Sequence, residues 1–159
     1  KAGALKMDPK VKTKISYIGG WFDPPKAKEA AIAQIEAGAD LIFAERFGVF
    51  EACKEKGIFA FGNMSDQNAL APDVVITGPV WDMYPTIKFC IEMVKKKAWV
   101  SMDLGEWSMM AKGGSRLAPF HSFEKELPSA VMNQVRDIEK KILNGTFRVP
   151  VDEQPPVSD

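Results

Sequence analysis

The sequence predicts an α/β fold with a mainly parallel sheet. Three observations carry that expectation. Short apolar runs at residues 15–18, 41–43, 58–61 and 74–77 have the length and composition of buried strands. Segments with apolar residues three or four apart lie between most of them, and Gly38, Gly57 and Asn144–Gly145 stand where helices should stop. Strand, helix and strand in alternation, with tight connections, call for parallel pairing and right-handed crossovers.

The elements follow in order. Residues 2–6 read as the end of a helix, stopped near Asp8–Pro9, and residues 11–18 as a strand. A loop, Gly19–Gly20–Trp21–Phe22–Asp23, leads into a helix over 24–37. Asp23 is placed to cap that helix, and a proline in its first turn costs no hydrogen bond. Ala27, Ala31 and Ile35 mark its buried face. Residues 41–43 form a strand, 47–56 a helix and 58–61 the next strand. A polar loop over 62–72 and a strand over 74–77 come next, then a helix over 84–97 with Ile87, Ile91 and Val94 on one face. Residues 99–102 read as a further strand, with Trp99 in the core, and 117–123 as a loop. The stretch 105–114 has no clear period, and a last helix spans 128–143.

Bulk properties exclude several classes. The 159 residues suffice for one domain with a real core. Lysine plus arginine and aspartate plus glutamate both total 21, so net charge gives no drive towards nucleic acid or anionic membrane. The Lys95–Lys97 run suits the solvated end of a helix. Cys53 and Cys90 form no CxxC pair and read as two buried free thiols, with a disulfide left open. No apolar run reaches the length of a membrane span. Lys1 is not a natural start, so a processed or truncated chain is expected.

Catalytic and cofactor motifs are missing. GxGxxG, GxxxxGK[ST] and GxSxG do not occur. His121 is the single histidine, so a zinc site or histidine triad has no basis; it reads as a loop or surface residue. Glu124 and Glu126 are weak evidence for acid–base work. No enzyme, metal or cofactor is expected. The informative stretch is residues 58–67, IFAFGNMSDQ, with TGPVW at 77–81: a strand entering a polar loop, and a second apolar run that ends in a loop carrying Trp81. Ligands of open α/β sheets bind at such strand ends. Asp66 either caps its own loop or accepts two hydrogen bonds from a ring nitrogen or sugar diol. Trp21, Trp81 and Trp107 are either core residues or stacking surfaces for a planar ligand. Gly19–Gly20 is a tight turn, or it sets Trp21 and Asp23 at a cleft rim.

The ordered segments WFDPPKAKEAA (21–31), AGAD (37–40), EKGIFAFGNMSDQ (55–67), LAPDVVITG (70–78), LAPF (117–120) and LNGTF (143–147) resemble the basic membrane protein family, or purine nucleoside receptor-like family, of ABC importer substrate-binding proteins. The resemblance runs from about residue 1 to 150 and covers only the later part of that pattern. It implies two Rossmann-like lobes of the type I periplasmic-binding-protein kind, closing over a small-molecule ligand, a nucleobase or nucleoside. It also implies a permease partner, a periplasmic or extracellular location and, in many members, a lipid anchor, which this chain lacks. Residues 1–78 would be a second-lobe α/β region, 79–148 the crossover and return segments, and 149–159 an irregular tail. Asp66 matches the ligand-bonding aspartate of the family's DxDQ-like loop, whose preceding aspartate is replaced here by Met64. Trp81 falls where nucleoside-binding members commonly carry a sugar-touching lysine. Trp21 and Trp107 match aromatics of a branch with a tryptophan-rich cleft, for which a free nucleobase fits. The alternative is a ligand-sensing or interaction domain of the same fold, without a transport role.

Overall fold

The computed structural model describes residues 1–150 and 154–159. Helix α1 (Ala2–Met7) leads into an extended segment, followed by α2 (Pro24–Glu36), β1 (Leu41–Phe43), α3 (Val49–Lys56) and β2 (Phe59–Phe61). Then come β3 (Pro79–Trp81), α4 (Tyr84–Lys95), β4 (Ser115–Leu117), α5 (Phe123–Glu126) and α6 (Ser129–Leu143). None of the described helices is long and apolar enough to cross a membrane.

β1 and β2 pair in parallel, Ile42 opposite Ala60. The chain at Val75 continues the sheet on the far side of β2. There the Ala60 N–H donates to Val74 O, Ile76 N–H to Ala60 O and Gly62 N–H to Thr77 O. The expected strand over 74–77 is thus a short parallel track. α2 and α3 cover one face of this sheet. Asp23 Oδ1 accepts the Lys26 N–H at 3.1 Å and opens α2, with Pro24 and Pro25 in its first turn. Ala27 and Ala31, one helical turn apart, are buried against Ile42, Ala44, Phe50, Ala52, Cys53, Ala60 and Val75. Alanines on the helix face let it lie close to α3. Gly57 ends α3 in the left-handed conformation, φ 67°.

The other sheet face is open: Leu41, Phe43 and Phe59 remain about half exposed. α5 covers part of it, with Phe123 buried edge-on to Phe59 at a ring separation of 5.5 Å.

Several expectations require correction. Residues 11–18 form no ladder among the described residues. They run extended, and their backbone bonds the chain end instead: Asp159 N–H donates to Thr13 O and Ile15 N–H to Ser158 Oγ. Lys1 and Thr13 hold the Asp159 carboxyl down at about 2. Residues 99–102 are irregular, and Trp99 is partly exposed rather than core. β4 includes Leu117, the first residue of an expected loop, and pairs antiparallel with β3, which lies within another. α4 buries no residue, and its Ile87–Ile91–Val94 face meets solvent. The tail beyond Val149 falls partly outside the described residues; residues 154–159 carry no helix or strand.

Both cysteines are free, Cys53 buried and Cys90 half-buried. Burial pushes the Cys53 thiol from 9.0 up to about 11. At neutral pH the thiol is protonated folded or unfolded and adds no pH dependence. As pH rises through 9 the unfolded thiol ionises while the folded one stays protonated, so stability falls until pH reaches about 11. Native protein at mildly alkaline pH should therefore label at Cys90 with a maleimide, and at Cys53 only after denaturation; peptide mapping reads both.

Candidate functional site

Residues 62–68 form the loop that follows β2 at the carboxyl end of the parallel sheet. Gly62 sits so close to Gln67 that a Cβ would lie 2.8 Å from Gln67 Oε1. That oxygen accepts the Asn63 N–H at 2.8 Å and closes the loop on itself. Met64 takes the left-handed conformation, φ 71°, and its carbonyl accepts the Trp81 N–H at 2.9 Å. Beneath the loop the buried Asn68 side chain donates Nδ2–H to Val75 O at 2.9 Å. These bonds tie the loop to β3 and to the sheet. Asn63 is 5% exposed, and its Nδ2 has no hydrogen-bond partner among the described residues.

Asp66 stands on this loop with its side chain about two-fifths exposed. Its Oδ1 accepts the Asn68 backbone N–H at 3.2 Å, the local turn bond that the sequence suggested. Its Oδ2 lies 2.9 Å from His121 Nε2, a partner 55 residues away that no local pattern pairs with it. An ionised carboxylate only accepts, so Nε2 carries the proton in this contact. From its sequence context His121 reads as a loop or surface residue. The usable signal was its place directly after LAPF, a segment that β3 and β4 bring to the sheet end.

The expected aromatic residues divide. Trp81 ends β3, bonded through its backbone to the Asp66 loop, with its side chain 56% exposed. Trp21 is 88% exposed in the loop before α2. Arg46, from the loop after β1, lies over its ring at 5.1 Å, and Phe22 meets Phe47 at 6.1 Å. Gly48 brings these two loops together, because its backbone passes against the Pro24 carbonyl. Trp107 belongs elsewhere. It stacks on Phe89 of α4 at 4.4 Å, with Lys112 over its ring. An open groove of about 370 Å³ there is lined by Tyr84, Pro85, Lys88, Phe89, Glu92 and Trp107, so it does not coincide with the Asp66 loop. No group of three or more metal-ligating side chains occurs among the described residues.

Open α/β sheets bind ligands at the carboxyl ends of their strands, which is where the Asp66 loop stands. Residues 1–153 match the Bmp family, described as ABC transporter substrate-binding protein PnrA-like, and the chain belongs to that family. It is 29% identical over 157 residues to a purine-binding protein of Brucella abortus (strain 2308), covering 96% of this chain and 43% of that one. It is 26% identical to a putative ABC transporter glucose-binding protein of Haloferax volcanii, covering 92% of this chain and 37% of the relative. The chain thus spans less than half the length of the curated relatives it matches. Its fold matches a solute-binding protein of an ABC transporter system from Conexibacter woesei with a TM-score of 0.65 at 21% identity, over 94% of this chain and 50% of that one.

Proposed function

We propose that this chain contributes the Asp66 side of a ligand cleft in an extracytoplasmic solute receptor that delivers a purine-like nucleobase or nucleoside to an ABC permease. The observation that carries the reading is the Asp66 carboxylate, exposed on a loop tied to β3 and to the sheet at the end where such folds bind ligands. The purine-binding relative supports the solute class, and the glucose-binding relative names its rival. No bond is made or broken. Stacking on an indole buries the ligand face, and the carboxylate fixes its polar edge. Closure of two lobes would then report occupancy to the permease by shifting their populations. Anchoring of the receptor to the membrane by a lipid is part of the same proposal.

Calorimetric titration of the full-length protein with adenine, hypoxanthine, guanine, adenosine, inosine and glucose tests this reading. A purine or its nucleoside should bind most tightly, and binding of glucose alone would replace the solute. Trp81→Ala should lower affinity about tenfold, the scale of one lost stacking contact. Because the ring is over half exposed, the melting temperature should barely move. A large drop in melting temperature with unchanged affinity would make Trp81 a packing residue.

A further inference from the structure

We propose that His121 is a positioning residue for ligand capture. It holds the Asp66 carboxylate so that one free acceptor position on each oxygen faces the solute, which selects solutes presenting two adjacent N–H or O–H donors. This inference rests on the reading of Asp66 as a ligand residue.

The carboxylate has roughly four acceptor positions, two on each oxygen. The Asn68 backbone N–H fills one on Oδ1 and His121 Nε2–H fills one on Oδ2. About one remains on each oxygen. The carboxylate cannot turn about its Cβ–Cγ bond without losing one of the two donors. Its free edge therefore stays fixed, with two acceptors side by side. Such an edge matches a ring N–H beside an exocyclic amine, or a vicinal diol, as two parallel hydrogen bonds.

The position of His121 is built rather than incidental. Ala118 N–H donates to Gly78 O at 2.8 Å, and the buried Thr77 Oγ1–H donates to Ala118 O at 2.7 Å. Two residues beyond the histidine, Phe123 is buried against Phe59. Between these anchors His121 adopts φ 51°, a left-handed conformation that non-glycine residues seldom take. The facing loop carries Met64 at φ 71°. Both turns are strained, and together they bring imidazole and carboxylate into contact. The pair itself is more than a third exposed, and exposed ion pairs contribute little to stability. Removing the imidazole should accordingly leave the fold intact.

His121 is the one histidine of residues 1–159, and in the full-length protein its imidazole ¹⁵N signals are identified by their loss in His121→Ala. The test combines those signals with calorimetry on the full-length protein, using the purine and nucleoside panel above. The proteins are wild type, His121→Ala, His121→Gln, Asp66→Asn and the Asp66→Asn/His121→Ala double variant. His121→Ala should weaken the tightest panel ligand about tenfold, and His121→Gln, whose amide can still donate, should recover most of the loss. The double variant should bind no worse than Asp66→Asn alone, because the histidine acts through the carboxylate. The imidazole signals should shift in Asp66→Asn and again when ligand saturates the wild type. Wild-type affinity in His121→Ala, or a full additive loss in the double variant, would overturn the positioning role while the purine reading stands. Absence of binding by every panel member, with the Asp66-dependent imidazole shift still present, would overturn the purine reading and this inference with it.

Discussion

Replacing Asp66 by alanine in the full-length protein is expected to weaken its tightest ligand by roughly 10- to 100-fold. A hydrogen bond to a charged group is worth about 1.5–3 kcal/mol, and each 1.4 kcal/mol is about tenfold in affinity. Among the described residues the carboxylate makes one local backbone bond and one exposed contact to His121, so the melting temperature should change little. Calorimetry and thermal melting on the same preparation separate the two effects. Unchanged affinity would remove Asp66 from the cleft. A lowered melting temperature with unchanged affinity would make it a turn residue only.

Gly48→Ala should strongly lower stability. Gly48 has φ 102°, where an L side chain is strained, and its added Cβ would overlap the Pro24 carbonyl at the start of α2. The left-handed penalty is about 1–2 kcal/mol, and overpacking typically adds about 1–3 kcal/mol. For a domain of this size, each kcal/mol lowers the melting temperature by roughly 2–4 °C. Gly38→Ala is the control. It shares the positive φ, at 94°, but nothing lies within 4 Å of its Cβ position, so it should lose only the conformational part. Equal losses in the two variants would mean that the close approach of the Gly48 and Pro24 loops is not maintained.

How much of this was legible depended on the range of the interaction. Asp23 at the start of α2, Ala27 and Ala31 on its inner face, and Gly57 at the end of α3 are local signals, and each stands where the sequence put it. The parallel pairing of Leu41–Phe43 with Phe59–Phe61 followed from the helix between them. Short strands made by distant partners were not legible. Pro79–Trp81 reads as loop because it begins at a proline, and its partner Ser115–Leu117 follows two glycines. Gly114 is there because a Cβ would run into the Trp107 carbonyl, a contact that no local pattern announces. Residues 11–18 show the converse. Their alternation is that of a strand, and the half-buried positions 11, 13 and 15 keep it, but alternation cannot name a ladder partner.

The candidate site divides in the same way. Asp66 was legible because its loop follows an apolar strand and carries the DQ pair. His121 was not, because its contact with Asp66 comes from a turn whose far side is anchored by the buried Phe123. The indoles were legible as candidates but not as a group: Trp81 is bonded to the Asp66 loop, whereas Trp107 is committed to α4. Apolar spacing on α4 identified Ile87, Ile91 and Val94 as one face, and that face meets solvent. Parallel sheets are normally covered on both faces, and the half-exposed Leu41, Phe43 and Phe59 mark a second apolar surface of the same kind.

Native mass spectrometry of the full-length protein, purified without added ligand, decides whether Asp66 holds a purine. A retained adduct with the mass of a purine base or nucleoside is expected in the wild type and should be lost in Asp66→Ala. An adduct of hexose mass, or a purine adduct retained undiminished by Asp66→Ala, would contradict it.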